Sequence, residues 1–469
     1  MIEGSLPNDA SGRSHRVVRA GRLAQELLAH DPVVQGVVLS WVDTAGINRI
    51  KTVPVRRLET VAAWGAGMSP VFDTFLADDS IVRTDVLGGP DGDLRLIPDL
   101  DGLVVLAAQP GWAWAPVDRI TQDGDPYPVC TRTVLKRLTH LAAEAGITVK
   151  AGFEIEFALG RNDAPDDAFV PATSGPAYGM TRLVELSGFA AAVLAALEAQ
   201  GCDVEQIHPE YAPGQFEVSV GALSPVAAAD RSVLVRQTIR ALAAEHGLRV
   251  SFSPSVVAGS VGNGGHVHLS AWRDGVNLHS GGDGRYGLTP DGEAFTAGIL
   301  AALPELAALA TPSPVSFLRL QPSHWAGVYA CWGRENREAA VRLVTGMAAD
   351  PAGPANLEVK CGDLAANPYL LLSGLLAAGL DGLKRGLSLP AEVTGDPAAL
   401  PESERDRLGI RRIPRTLTEA VEHFAASKLL QDELGTLLHD AVVAVRRGET
   451  ARMAGLDDDA IAAAYRWVY

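Results

Sequence analysis

Apolar and polar positions alternate with a period of two along several short stretches of this chain, and recur at helical spacing between them. In AGFEIEFALG, Phe153, Ile155 and Phe157 take one face and Glu154 and Glu156 the other. The same alternation around the Thr44-Ala45-Gly46 turn predicts a hairpin over Gln35 to Val55. Leu94 to Pro98 and Leu103 to Ala108 are further β-like runs, Val204 to Val220 reads as paired strands, and Leu248 to Val257 as a strand or loop. Helical patterns cover Ala24 to His30, Leu58 to Ala66, Arg132 to Gly146, Ser187 to Gln200, Val226 to His246 and much of Leu417 to Tyr469. Asn367-Pro368 supplies an N-cap and a first-turn proline for a further helix. Strands followed by helices in each unit predict an α+β fold.

Residues 1–20 are polar and are expected to form a flexible tail. QDGDPYP, Gln122 to Pro128, is dense in turn formers and is placed at the boundary between an N-terminal domain over 21–122 and a larger domain over 123–469. The most apolar stretches are Ala294 to Ala310, which contains Pro304 and Glu305, and Tyr369 to Leu383, which contains Asp381. Both are shorter than the roughly 18–20 residues of a membrane span and read as buried helices. The first residues lack the apolar run of a signal peptide.

A net charge of −16 excludes the basic stripe of a nucleic-acid binder. Cys130, Cys202, Cys331 and Cys361 are far apart and lack CxxC spacing. That argues against zinc and a disulfide framework and for reduced thiols in a cytoplasmic protein.

The chemistry gathers around GNGGHVHLS, Gly262 to Ser270. Gly262, Gly264 and Gly265 allow a positive φ or a close backbone approach. His266 and His268 share one face of an extended segment, where they could hold a metal, a phosphate or each other. Glu154 and Glu156, Glu210 and Glu217 in HPEYAPGQFEVSV, and Glu358 with Lys360 in NLEVKCGDL add acids on strand faces. Carboxylates gathered in one cleft cannot all stay ionised unless something neutralises them, and divalent cations do so.

The order GFEIEF, EYAPGQFE, GNGGHVHLS, then NREAAVR, then EVK followed by ANPYL resembles the type I glutamine synthetase family. QDGDPYPVCTRTVL is similar to that family's domain junction. The resemblance implies a β-grasp-like N-terminal domain and a catalytic domain built on a curved antiparallel sheet with flanking helices. It implies a homo-dodecamer of two stacked hexameric rings. Glu156, Glu210 and Glu217 then match the ligands of one catalytic cation, and Glu154, His266 and Glu358 those of a second, Mg²⁺ or Mn²⁺. Glu205, His268 and Ser270 match positions that touch ATP, and Arg337 and Arg342 those that grip the transferring phosphoryl group. Gly262, Gly264, Arg319 and Lys360 match the glutamate site.

The chain departs from the family pattern where ammonia-using members carry a glutamate that closes the site and takes a proton. Trp325, in PSHWAGVY, stands there, and offers a π-face to an amine instead. Lys360 replaces the arginine that usually follows the metal glutamate, and gives up its bidentate fork. Asp73, in VFDTF, falls near the family's ammonium-binding acid and is a candidate base or amine anchor. No tyrosine occurs between Tyr369 and Tyr465, so the adenylylation site is missing. At Trp325 and Lys360 the chain is similar to the nodulin and FluG-like branch of the family and to some γ-glutamyl-amine ligases, which make γ-glutamylethanolamide or γ-glutamylpolyamines. These departures point to a ligase that joins glutamate to ethanolamine, a short monoamine or a polyamine through γ-glutamyl phosphate, spending ATP. The competing readings are an ammonia-using glutamine synthetase and a catalytically silent scaffold or sensor.

Overall fold

The computed structural model describes residues 10–165, 168–350 and 352–469. Its strands are β1 (Gly36–Val42), β2 (Asn48–Pro54), β3 (Ala66–Met68), β4 (Leu94–Pro98), β5 (Val104–Val105), β6 (Trp112–Thr121), β7 (Thr148–Arg161) and β8 (Val204–Pro209). They continue with β9 (Gln215–Val220), β10 (Leu248–Ser251), β11 (Val267–Arg273), β12 (Val276–Asn277), β13 (Tyr329–Arg334), β14 (Ala339–Val344), β15 (Asn356–Val359) and β16 (Arg411–Arg412).

Among the described residues two sheets carry the α+β fold. The N-terminal sheet runs β2-β1-β6-β4-β3, with β5 on β6. β1 and β2 form the expected hairpin, with the turn at Gly46 in the left-handed region at φ 87°. The centre of this sheet is β6, a strand that the polar–apolar pattern does not reveal. Every residue from Ala113 to Arg119 is buried, so Ala113 to Val117 read apolar on both faces, Asp118 and Arg119 are buried ion-pair partners, and no alternation survives. The first helix also begins earlier than Ala24. It spans Ala10–Leu28, takes in half of the stretch expected as a tail, and buries Ala20, Ala24 and Leu27. Residues 1–9 lie outside the described residues.

The larger sheet runs β16-β13-β14-β15-β11-β7-β9-β8, with β10 on β7 and β12 on β11. Its pairs are antiparallel apart from β13 with β14. The helix Pro225–Glu245 packs on β7 and β10, and the helix Pro368–Arg385 packs against Pro290–Ala301 and Thr131–Glu144. Pro368–Arg385 is capped as its sequence suggests, Asn367 accepting the N–H groups of Tyr369 and Leu370 at 3.0 and 3.1 Å. No single described helix is long and apolar enough to cross a membrane. The bent pair Pro290–Ala301 and Leu303–Ala310 is buried in the core.

Buried charges join the two units. Arg132 donates to Asp99, Asp118 and Asp230 at 2.7 to 2.9 Å, and Lys136 adds a 2.6 Å bond to Asp118.

Candidate active site

The strand pairing lines the chemistry up in rows. Glu156 on β7 faces Glu217 on β9, which faces His208 on β8. Arg342 on β14 faces Glu358 on β15, which faces His268 on β11. The intervening residues, among them Phe153, Ile155, Phe157, Phe216, Val218, Val267, Leu269, Leu357 and Val359, are buried on the other side. Period-two alternation thus turns one face of the sheet into core and the other into an ionised floor.

On that floor His266 Nδ1 lies 2.8 Å from Glu154 Oε2 and 3.5 Å from Glu358 Oε1, and His266 Nε2 lies 3.9 Å from Glu156. His268 Nε2 lies 3.1 Å from Glu154 Oε1. His208 sits between Glu210 and Glu217 at 3.5 and 3.4 Å. Glu358 accepts from Lys360 at 2.8 Å and from Arg342 at 3.0 Å. Burial opposes ionisation of Glu358, but Lys360 and the two histidines outweigh it and hold the carboxyl down at about 2. At Glu210 the balance goes the other way: burial first, then Glu156 and Glu217, push it up to about 7 against the hydrogen bond from Tyr178 and the nearby His208. Glu156 is raised too, mainly by burial and further by Glu217. His208, hydrogen-bonded to Glu217, is pushed up to about 8. His268 reaches about 9, because Glu154 and Glu358 overcome its burial.

Two cavities share this floor. The larger, about 560 Å³, is lined by Glu154, Glu156, Glu210, Glu217 and His266, and brings in Gly262, Gly264, Arg319, Arg337, Arg342 and Lys360. Arg319 is fixed by the carbonyls of Cys361 and Gly362 at 2.6 and 2.9 Å. Arg337 stands exposed at the rim. The smaller, about 390 Å³, is lined by Glu205, His268, Ser270, Lys150, Trp272 and Asn356, and meets the first at Glu154 and Gln206. At the mouth of the larger cavity stand Tyr178, Tyr211 and Trp325. Tyr178 donates to Glu210 Oε1 and stacks on His208 at 5.2 Å, and the rings of Tyr211 and Trp325 lie 4.6 Å apart.

Residues 128–462 match the glutamine synthetase catalytic domain. The chain belongs to the glutamine synthetase family. It is 64% identical over 459 residues to a gamma-glutamylpolyamine synthetase of Streptomyces coelicolor, covering 98% of each chain. It is 34% identical to a glutamine synthetase of Clostridium saccharobutylicum over 76% of this chain and 81% of that one. Among solved structures it is similar to a glutamine synthase homologue, with a TM-score of 0.83 and 34% identity over 93% of this chain and 99% of the other. A GmaS complex with ADP gives a TM-score of 0.80 at 29% identity, over 92% and 96%. As a member of this family the chain is a ligase.

The donor set of this glutamine synthetase relative suits hard divalent cations. Ligand atoms of His208, Glu210 and Glu217 lie within 4.8 Å of one another, as do those of Glu154, His268 and Glu358. Burial first, and neighbouring carboxylates second, raise Glu156 and Glu210, and a bound cation would offset the charge that both causes oppose. All six acids and histidines expected as ligands line or adjoin the one floor, and His208 joins them. Sequence reasoning missed His208, although it stands two residues before Glu210, near the end of β8. Tyr178 and Tyr211 were missed because they lie in loops that carry no periodic signal.

Two expectations change. Gly262, Gly264 and Gly265 do not adopt positive φ. Close approach is what requires glycine there: a Cβ on Gly262 would fall 2.2 Å from the Pro254 carbonyl oxygen and 2.6 Å from Arg319 Cγ. Asp73 is not brought to the cavity. It is fully buried and accepts from Arg119 Nη1 at 2.7 and 2.8 Å, so it is no exposed base or amine anchor in this chain. Trp325 stands 44% exposed at the mouth.

Proposed function

We propose that the chain is an ATP-dependent ligase that joins the γ-carboxyl group of glutamate to a polyamine through γ-glutamyl phosphate. The observation that carries this reading is the mouth of the larger cavity, where Tyr178, Tyr211 and Trp325 form an aromatic wall beside Glu210. Aromatic faces beside an acidic floor attract an organic cation, by about 0.5–2 kcal/mol per well-placed ring. They give little to ammonia, which has no carbon chain to lay against them. The strongly acidic lining favours a polyamine over ethanolamine or a short monoamine, and the Streptomyces relative carries that substrate in its name.

In this reading Glu156, Glu210 and Glu217, with His208, hold one Mg²⁺ or Mn²⁺, and Glu154, His266 and Glu358 hold a second. Bound cations would offset the charge of the ATP phosphates during transfer. Gly262, Gly264, Arg319 and Lys360 hold glutamate, and the guanidinium groups of Arg337 at the rim and Arg342 on the floor grip the phosphoryl group as it passes to the γ-carboxylate. Glu205, His268 and Ser270 hold the nucleotide in the smaller cavity. The γ-carboxylate takes the phosphoryl group from ATP and ADP leaves; the amine nitrogen then displaces phosphate from the acyl carbon and gives up a proton to solvent. The proposal includes assembly into two stacked hexameric rings and a cytoplasmic location, on the strength of the family resemblance.

The test is steady-state phosphate release with glutamate, ATP, Mg²⁺ and a panel of putrescine, spermidine, ethanolamine, methylamine and ammonia. The expected result is the highest kcat/KM with the diamine or triamine. Ammonia as the best substrate would overturn the proposal in favour of an ordinary glutamine synthetase. Release with none of them would favour a silent scaffold, which the complete ligand set argues against.

A further inference from the structure

The loop that carries Trp325 is bent in an uncommon way. Ser323, Trp325 and Gly327 all lie in the left-handed region, at φ 60°, 54° and 64°. Gly327 takes that conformation at no steric cost, but serine and tryptophan keep it only where the surroundings over-determine it. Both are held from outside the loop by a carboxylate. The Trp325 N–H donates to Glu338 Oε1 at 2.8 Å, and Ser323 Oγ donates to Asp396 Oδ2 at 2.6 Å.

The two carboxylates share one support. Glu338 is buried, and its N–H donates to Asn336 Oδ1 at 3.0 Å. Asn336 Nδ2 in turn donates to the carbonyls of Val393 and Gly395 at 2.8 and 2.9 Å, next to Asp396. Asp396 is itself fixed by the Ala398 N–H at 2.8 Å. One small frame, Asn336 to Glu338 against Val393 to Asp396, thus grips both non-glycine left-handed residues. The result is a tryptophan whose ring meets Tyr211 at 4.6 Å across the cavity mouth.

We propose that Glu338 and Asp396 are positioning residues that lock the Ser323 to Gly327 loop, so that Trp325 forms a preset wall of the amine site. The part about the amine rests on the ligase reading given above. Glu338 acts here through its acceptor oxygen and not through its charge. Glutamine at 338 should therefore serve, and alanine should not.

The experiment pairs hydrogen exchange with kinetics on the full-length enzyme. In Glu338→Ala, amide exchange within residues 322–327 should rise about tenfold or more, and in Glu338→Gln by less than about threefold. Ser323→Ala, which removes the other grip at an exposed position, should also speed exchange there. With putrescine as the amine, Glu338→Ala should raise the amine KM about tenfold and leave the KM of glutamate and of ATP within about twofold. Unchanged exchange in both Glu338→Ala and Ser323→Ala would overturn the proposal. So would a Glu338→Gln enzyme as impaired as Glu338→Ala, which would show that charge is what matters, or an equal rise in all three KM values, which would show general loosening. A wild-type enzyme that turns over no amine would overturn the ligase reading alone, because the exchange result tests the lock without it.

Discussion

The Gly264 N–H donates to Glu156 Oε2 at 2.8 Å, and a methyl group on the same residue would stand 2.5 Å from His266 Nε2. One backbone position therefore orients a carboxylate and leaves room for an imidazole. Gly264→Ala must move one or both. It should lower amine-dependent phosphate release by about 100-fold or more, as expected for a displacement near 1 Å at a reacting centre. Calorimetry should show weaker Mn²⁺ binding as well. An alanine enzyme with wild-type turnover would remove Gly264 and Glu156 from the site.

Cation binding should be visible without catalysis. The acidic floor is stable only as far as its charges are offset, so Mg²⁺ added to chelator-treated protein should raise Tm. At a hundred times Kd the stabilisation is about 2.7 kcal/mol. Glu217→Gln removes a donor that faces both Glu156 and His208, and should reduce the shift by more than half. A Tm indifferent to both chelator and cation would count against the two-cation floor.

A separate pH dependence comes from His279. Its side chain is fully buried beside Phe295, its Nε2 has no hydrogen-bond partner among the described residues, and burial holds it down at about 4. The unfolded chain binds this proton near pH 6.5 and the folded chain only near 4, so the unfolded state gains stability as the pH falls between them. The histidine thus withdraws up to roughly 3 kcal/mol from the fold as the pH drops from 6.5 to 4. His279→Gln should flatten that limb of a Tm-against-pH curve and leave the region above pH 7 nearly parallel to wild type. Parallel curves throughout would show that His279 does not contribute.

Arg132 makes the strongest case for a stability defect away from the cavity. Three carboxylates, Asp99, Asp118 and Asp230, converge on it; Lys136 shares the first two and the Tyr369 hydroxyl donates to the third. Arg132→Met should cost about 3–5 kcal/mol, because it leaves buried acids without their counter-ion. Scanning calorimetry should show a clear fall in Tm and an early loss of the joint between the two sheets. A drop of less than one degree would mean that the acids simply take up protons.

The legible parts of the site are those written in strand periodicity. Glu154 and Glu156 declare themselves because Phe153, Ile155 and Phe157 alternate with them, and the pairing then delivers Glu217, His266, His268 and Glu358 to the same face. β6 was hidden by the opposite circumstance, burial on both faces. Asp73 misled because its local sequence looks like a site acid, and its partner Arg119 is 46 residues further on. The bend at Trp325 was equally out of reach, since its cause lies in Glu338 and Asp396 on other segments.

The division of labour between strands and loops has a consequence for how such an enzyme can change. Slipping any one of β7, β8, β9, β11 or β15 by a single residue would turn its ionised side chains into the hydrophobic interior, so those strands admit almost no insertion or deletion. Tyr178, Tyr211 and Trp325 hang from connecting segments that are free of that parity rule. On the ligase reading proposed above, selection could therefore redraw the acceptor preference by editing three connections and leave the carboxylate-activating apparatus intact.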